Sequence, residues 1–168
     1  MCQQVTIRIA VRADIEAVQH VASETWRATY AGAIPDVDIN LFLDSAYSDR
    51  SLAAAVNRLG DGFVVAERQD NVIGYAMAGP NRDGEPELYA IYVLPEQHGT
   101  GAGQILWDAA RSVLSRQGQT RMCCWVLASN VRARRFYERQ GAILAEAREF
   151  AVGATMIREA RYCVMLSE

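Results

Sequence analysis

Tyr92-Val93-Leu94-Pro95-Glu96-Gln97-His98-Gly99-Thr100-Gly101-Ala102-Gly103 is the stretch on which the fold turns. It completes an alternating run, Glu87-Leu88-Tyr89-Ala90-Ile91-Tyr92-Val93, that reads as a strand. Ile105, Leu106, Ala109, Ala110 and Val113 follow on one side of a helix ended by Gly118. Glycine tolerates dihedrals that point successive N–H groups into one concavity, and a helix start adds a positive dipole end. Together they make an anion site suited to a pyrophosphate.

The surroundings of this turn limit what it can hold. A dinucleotide fingerprint needs glycine where Gln104 stands, and it follows the first strand of a βαβ unit. A P-loop needs lysine, and the chain has none; all 17 basic residues are arginine. The same lack removes Schiff-base chemistry. An S-adenosylmethionine-dependent methyltransferase would place such a turn early in a parallel sheet. Here an antiparallel meander comes first.

That meander is read from Phe63-Val64-Val65-Ala66 and Val72-Ile73-Gly74-Tyr75-Ala76-Met77, with Gln69-Asp70-Asn71 as the turn between them. Asn81-Arg82-Asp83-Gly84 is a second hairpin signal leading to the strand that starts at Glu87. Further upstream, Thr6-Ile7-Arg8-Ile9-Ala10 alternates as a first strand, and Asp14 suits a helix cap. Ile15, Val18, Ala22, Thr25, Trp26 and Thr29 recur at helical spacing. Pro35 suits the first turn of a helix carrying Leu41, Phe42 and Leu43, and a short helix over Asp49–Leu59 stops at Gly60. Downstream, residues 122–127 read as a strand, 130–140 as a helix, and 142–150 and 161–166 as strands. The order implies one mixed α/β domain, residues 1–168, around a central sheet flanked by helices.

Composition narrows the function classes. At 168 residues, 51% hydrophobic and 22% charged, the chain has the balance of one soluble globular domain. A net charge of −3 argues against nucleic-acid binding by electrostatics. No apolar run reaches membrane-spanning length, and the first residues lack a signal-peptide pattern, so a cytoplasmic protein is expected. Four cysteines (Cys2, Cys123, Cys124, Cys163) and two histidines (His20, His98) show no zinc-ligand spacing, so no metal is expected. Cys123 and Cys124 adjoin in a strand and are read as two small buried apolar residues on opposite faces.

A second segment reads Asn130-Val131-Arg132-Ala133-Arg134-Arg135-Phe136-Tyr137-Glu138-Arg139-Gln140-Gly141-Ala142. On spacing alone it is an amphipathic helix capped by Asn130, with Ala133, Phe136, Tyr137 and Gln140 on one face. Arg132, Arg135 and Arg139 fall on other faces, where one is free to reach a phosphate. With the glycine turn, this segment resembles the GNAT-superfamily N-acetyltransferases over nearly the whole chain. His98-Gly99-Thr100-Gly101-Ala102-Gly103 is similar to their Gln/Arg-x-x-Gly-x-Gly/Ala loop, with His98 replacing the usual Gln or Arg. The second segment is similar to their Asn-x-x-Ala-x-x-Phe-Tyr-x-x-x-Gly-Phe, with Ala142 in place of the final Phe. The region from Trp26 to Asp36 also resembles many bacterial members.

The resemblance implies a GNAT-like fold with a mostly antiparallel sheet. It implies transfer of an acetyl group from acetyl-CoA to a primary amine by direct attack in a ternary complex. It assigns the cofactor site to Tyr92, Val93, His98, Gly99, Thr100, Gly101, Ala102, Gly103, Asn130 and Tyr137. Trp26, Tyr30 and Glu87 fall on the acceptor side. The amine must lose a proton, which Glu87 is expected to take; Tyr89 and Tyr92 acting with water are alternatives. N–H groups of the fourth strand are expected to stabilise the oxyanion. Tyr137 is expected to protonate the leaving thiolate. A CoA-binding sensor without turnover is the non-enzymatic alternative. The acceptor, a small molecule or a peptide, stays open among polyamines, amino acids, aminoglycosides and protein N-termini. Glu24, Asp36 and Asp38 are candidates to attract a cationic amine. Dimers are frequent in such folds, so the resemblance allows a homodimer.

Overall fold

A computed structural model describes residues 4–166; Cys2 and the other terminal residues lie outside the described residues. The chain begins with β1 (Thr6–Ile9), then α1 (Ile15–Tyr30), α2 (Asp36–Ala46) and α3 (Asp49–Leu59). The meander β2 (Phe63–Arg68), β3 (Asn71–Pro80) and β4 (Pro86–Val93) follows, then α4 (Ala102–Arg116), β5 (Arg121–Leu127) and α5 (Val131–Arg139). A long hairpin, β6 (Ile143–Val152) and β7 (Thr155–Met165), closes the chain.

The strands form one 7-stranded sheet in the order β1-β2-β3-β4-β5-β7-β6. Every pairing is antiparallel except β4–β5. The β2–β3 turn is tight because Gln69 and Asp70 both take positive φ, the twist that suits a two-residue hairpin. Period-2 alternation sends side chains to two cores. Val64, Ala66, Leu88, Val93, Cys124 and Val126 pack with Leu106, Trp107 and Leu114 of α4. Phe63, Val65, Tyr75 and Leu127 pack with Val18, Trp26 and Tyr30 of α1, Ile39 of α2 and Leu52 of α3. Buried on both faces, the central strands read as continuous apolar runs. Among the described residues no helix is long and apolar enough to cross a membrane.

Three details differ from expectation. The Asp14 carboxylate makes no cap bond to α1; it accepts from Val11 N–H at 2.8 Å and pairs with Arg8 at 2.8 Å. It thus closes the 3-10 turn Arg12–Asp14 that leads into the helix. The last strand starts at Thr155, six residues before the expected Arg161, and its Glu159 and Arg161 form cross-strand ion pairs with Arg148 and Glu146 of β6. Cys123 is buried but not a lone apolar filler. It stands opposite Cys163 in the β5–β7 register, Cα atoms 4.1 Å apart, and the two form a disulfide. Cys124 is the buried free thiol on the other face.

Candidate active site

The site begins where two strands part. β4 and β5 share a single register pair, Glu87↔Cys123. Just beyond it β4 carries a bulge: Ala78 faces Leu88 and Met77 faces Ala90, leaving Tyr89 without a partner in β3. A bulge bends and twists its strand, while β5 stays paired along its length with β7. The strands therefore splay, and a cleft of about 980 Å³ opens between them. Beyond Glu87 the β5-facing edge of β4 pairs with no strand, so its backbone groups face the cleft. A smaller cavity of about 300 Å³ lies among α1, α2 and α3, sharing Tyr47 with this cleft and lined by groups that mostly bond one another, such as Arg27 with Asn40 at 2.7 Å.

One end of the cleft is made of backbone. Gly99 (φ 82°) and Gly101 (φ 88°) take the left-handed conformation that glycine tolerates, and Gly101 caps α4. A Cβ built on either would meet nothing within 4 Å, so both line open space. The first-turn N–H groups of α4 lack carbonyl partners within the helix and face this space with its dipole. The loop is anchored behind: His98 Nε2–H donates to the Val93 carbonyl at 3.0 Å, and Thr100 Oγ1 donates to the Gln97 carbonyl at 2.7 Å. Burial, then the nearby Arg132 charge, lowers the His98 pKa, so its ring is neutral near pH 7. Arg132 and Arg139 of α5 line the same space, whereas Arg135 does not. This cradle fits an anionic pyrophosphate. Asn130 also lines the cleft, though its side-chain oxygen is used as the α5 cap, accepting from Ala133 N–H at 3.1 Å.

Glu87 and Tyr137 both line the middle of the cleft. Glu87 is half-buried and accepts from Asn81 Nδ2 at 3.2 Å. Tyr137 is buried between Trp107, Phe136 and Tyr162, its hydroxyl against the Cys124 thiol. Burial pushes its phenol well above the ordinary value, which keeps it protonated. The Cys124 thiol is pushed up to about 12 by burial, so it is no nucleophile at neutral pH.

The other end is made of side chains. Trp26 stacks on Phe42 (centroids 4.2 Å) and leans on Tyr30 (4.5 Å). Its Nε1 is buried near the Tyr47 and Tyr92 hydroxyls yet completes no hydrogen bond within the described residues. Burial raises the pKa of Tyr30, Tyr47, Tyr75 and Tyr92, so these phenols stay protonated. That counts against Tyr92 as a base. Tyr89 is engaged too, its hydroxyl donating to the Pro80 carbonyl at 2.6 Å. Across from Trp26 stand Trp125, Arg148, Phe150, Ile157 and Glu159.

Comparison with known proteins decides the family. The acetyltransferase (GNAT) family model matches residues 17–142. The chain belongs to that family of enzymes. The uncharacterized N-acetyltransferase YuaI of Bacillus subtilis (strain 168) is 32% identical over 75% of this chain and 73% of its own. The uncharacterized N-acetyltransferase Rv2669 of Mycobacterium tuberculosis (strain ATCC 25618 / H37Rv) is 29% identical over 87% of this chain and 97% of its own. In fold, the chain is similar to a PaiA N-acetyltransferase from Thermoplasma acidophilum, solved in complex with coenzyme A (TM-score 0.79, 24% identity, covering 95% of this chain and 99% of that one). The methyltransferase alternative is set aside by the family match and the mostly antiparallel sheet.

Within this GNAT chain, the residues that the resemblance assigned to the cofactor and acceptor sites line one cleft, except Thr100, which anchors the loop from behind. The acidic residues offered for a cationic amine do not line it. Asp38 is buried and holds the β6–β7 turn, accepting from Ala154 N–H at 3.0 Å and Thr155 Oγ1 at 2.6 Å. Sequence reading also missed Trp125, Arg148, Phe150 and Glu159. The alternation Ile157, Glu159, Arg161 was the available signal, hidden by starting that strand at Arg161.

Proposed function

We propose that this enzyme transfers an acetyl group from acetyl-CoA to a primary amine by direct attack in a ternary complex. The observation that carries this is the splay of β4 from β5, which joins a backbone anion cradle to an aromatic, acidic pocket through Glu87 and Tyr137. Acetyl-CoA, when bound, supplies the thioester carbonyl and a thiol leaving group. The Gly99–Gly103 backbone and the start of α4 hold its pyrophosphate, with Arg132 and Arg139 adding charge. Glu87 accepts the ammonium proton, directly or through one water. N–H groups on the open edge of β4 stabilise the oxyanion. Tyr137, protonated at neutral pH, supplies the proton to the departing sulfur. Trp26 and Tyr30 wall the acceptor. The relatives are named N-acetyltransferases, and the fold neighbour from Thermoplasma acidophilum was solved with coenzyme A, both of which support this reading.

The test is a library of amines incubated with purified protein and acetyl-CoA, monitored by thiol release. Amine-dependent release with acetylated amine as product is the expected result. Tight acetyl-CoA binding without turnover for any amine would leave the sensor alternative in its place.

A further inference from the structure

Two arginines stand on neighbouring strands near the acceptor end of the cleft, and they are used differently. Arg161 of β7 has both terminal nitrogens engaged, while its buried Nε has no hydrogen-bond partner among the described residues. One terminal nitrogen binds Glu146 at 2.9 Å and the other binds Glu85 at 2.7 Å. Its side chain is 18% exposed, and Arg161 does not line the cleft. Arg148 of β6 does line it, with 44% of its side chain exposed. It is held from behind. Its Nε donates to Glu159 at 2.9 Å, and its guanidinium lies 3.9 Å from the Trp125 ring centre and 5.2 Å from that of Phe150. Among the described residues, its two terminal nitrogens make no hydrogen bond.

A guanidinium pinned through Nε and stacked on an indole has lost most of its conformational freedom before any ligand arrives. What it presents is a fixed pair of parallel N–H donors, the geometry that matches a carboxylate. Arg148 lines the same cleft as Glu87. A polyamine, with a second ammonium to place, would have to compete with Arg148 for Glu159 in this half. A zwitterion would meet a carboxylate partner for its amine and a cationic fork for its acid group.

Resting on the acetyltransferase reading above, we propose that the acceptor is an amine that also carries a carboxylate, of the amino-acid class, and that the free fork of Arg148 binds that carboxylate. The apolar wall of Trp26, Phe42, Trp125 and Phe150 leaves room for an uncharged side chain.

The experiment measures product binding by calorimetry, so it needs no turnover. Wild type, Arg148→Gln and Arg148→Lys are first titrated with CoA, then, with CoA saturating, with N-acetyl-alanine, N-acetyl-leucine and N-acetyl-phenylalanine, each as free acid and as carboxamide. Wild type should prefer at least one acid over its carboxamide by about tenfold or more, the worth of a desolvated charge pair. Arg148→Gln should erase that preference while leaving CoA affinity unchanged. Arg148→Lys, which keeps the charge and loses the fork, should retain only part of it. Equal binding of acid and amide by wild type, or a preference that survives in Arg148→Gln, overturns the proposal. Failure of CoA to bind wild type would instead bring down the acetyltransferase reading, and this proposal with it.

Discussion

The two ends of the cleft are built from different material. The cofactor end is backbone: two glycines in left-handed conformation, the start of α4 and the open edge of β4. The acceptor end is side chain: stacked aromatics from α1 and α2 facing an ion-paired aromatic wall on β5, β6 and β7. A backbone site recognises groups that every acetyl-CoA molecule shares, and it constrains only a few positions. A side-chain site recognises whatever its particular residues complement. On the proposed reading, the first end therefore holds what the family shares, and the second decides which amine is acetylated.

Glu87 stands where the two ends meet, so its loss should show the largest effect. Glu87→Gln should lower amine acetylation by about 10²–10⁴-fold, the usual worth of a general base. Asn81 can still donate to the glutamine oxygen, so folding and acetyl-CoA affinity should hold. Turnover within a few-fold of wild type would move the proton to another acceptor, with Glu159 the next carboxylate in the cleft. Gly101→Val probes the backbone end alone. A Cβ there meets no protein atom within 4 Å, so the fold should survive, but the side chain would occupy the cradle and strain a φ of 88°. Acetyl-CoA affinity should fall by about 10²-fold, or ~2.7 kcal/mol. Unchanged affinity by calorimetry would put the pyrophosphate elsewhere.

Tyr137→Phe sharpens the contrast between packing and chemistry within one residue. The ring keeps its contacts with Trp107, Phe136 and Tyr162, and only the hydroxyl against Cys124 is lost. Stability should change by about 1 kcal/mol. Single-turnover transfer should slow by about tenfold, the equivalent of ~1.4 kcal/mol of barrier. A variant that melts early yet transfers at the normal rate would make Tyr137 a packing residue.

Legibility in the sequence followed the same division. Strand alternation, the two glycine-ended helices and the motif around Gly101 are local patterns, so the element order and the backbone end could be read directly. The cross-strand partners could not. Cys123 and Cys163 are 40 residues apart and meet only through the β5–β7 register. Arg148 and Glu159 meet only through the β6–β7 register. A charged, alternating stretch such as Met156-Ile157-Arg158-Glu159 resembles a solvated loop until its partners are known. The acidic residues near α2 misled for the same reason: Asp38 looks like a surface charge, but a turn more than a hundred residues later closes over it.

That closure gives the smallest predicted effect and the one most specific to the acceptor end. Asp38 lies in the first turn of α2, where the helix dipole favours a carboxylate, and it ties α2 to the β6–β7 turn. Gly153 packs directly on it, leaving no room for a Cβ. The hydroxyl of Thr155, followed by the N–H of Ala154, holds the Asp38 carboxyl below its ordinary pKa. A folded-state pKa lower than the unfolded one adds stability that is fully present above about pH 4 and lost as pH falls through the lowered value. Acid should therefore loosen this turn, and Asp38→Ala should do so at neutral pH. The expected signature is faster amide exchange at Ala154, a slightly lower Tm and a weaker KM for the acceptor, with acetyl-CoA affinity untouched, because the tether reaches β6 and β7 but not the glycine loop. Gly153→Ala should give the same pattern by pushing the carboxylate aside. If either variant weakened acetyl-CoA binding as much as acceptor binding, the two ends would be mechanically coupled, and the division of labour between backbone and side chain would fail as an account of this cleft.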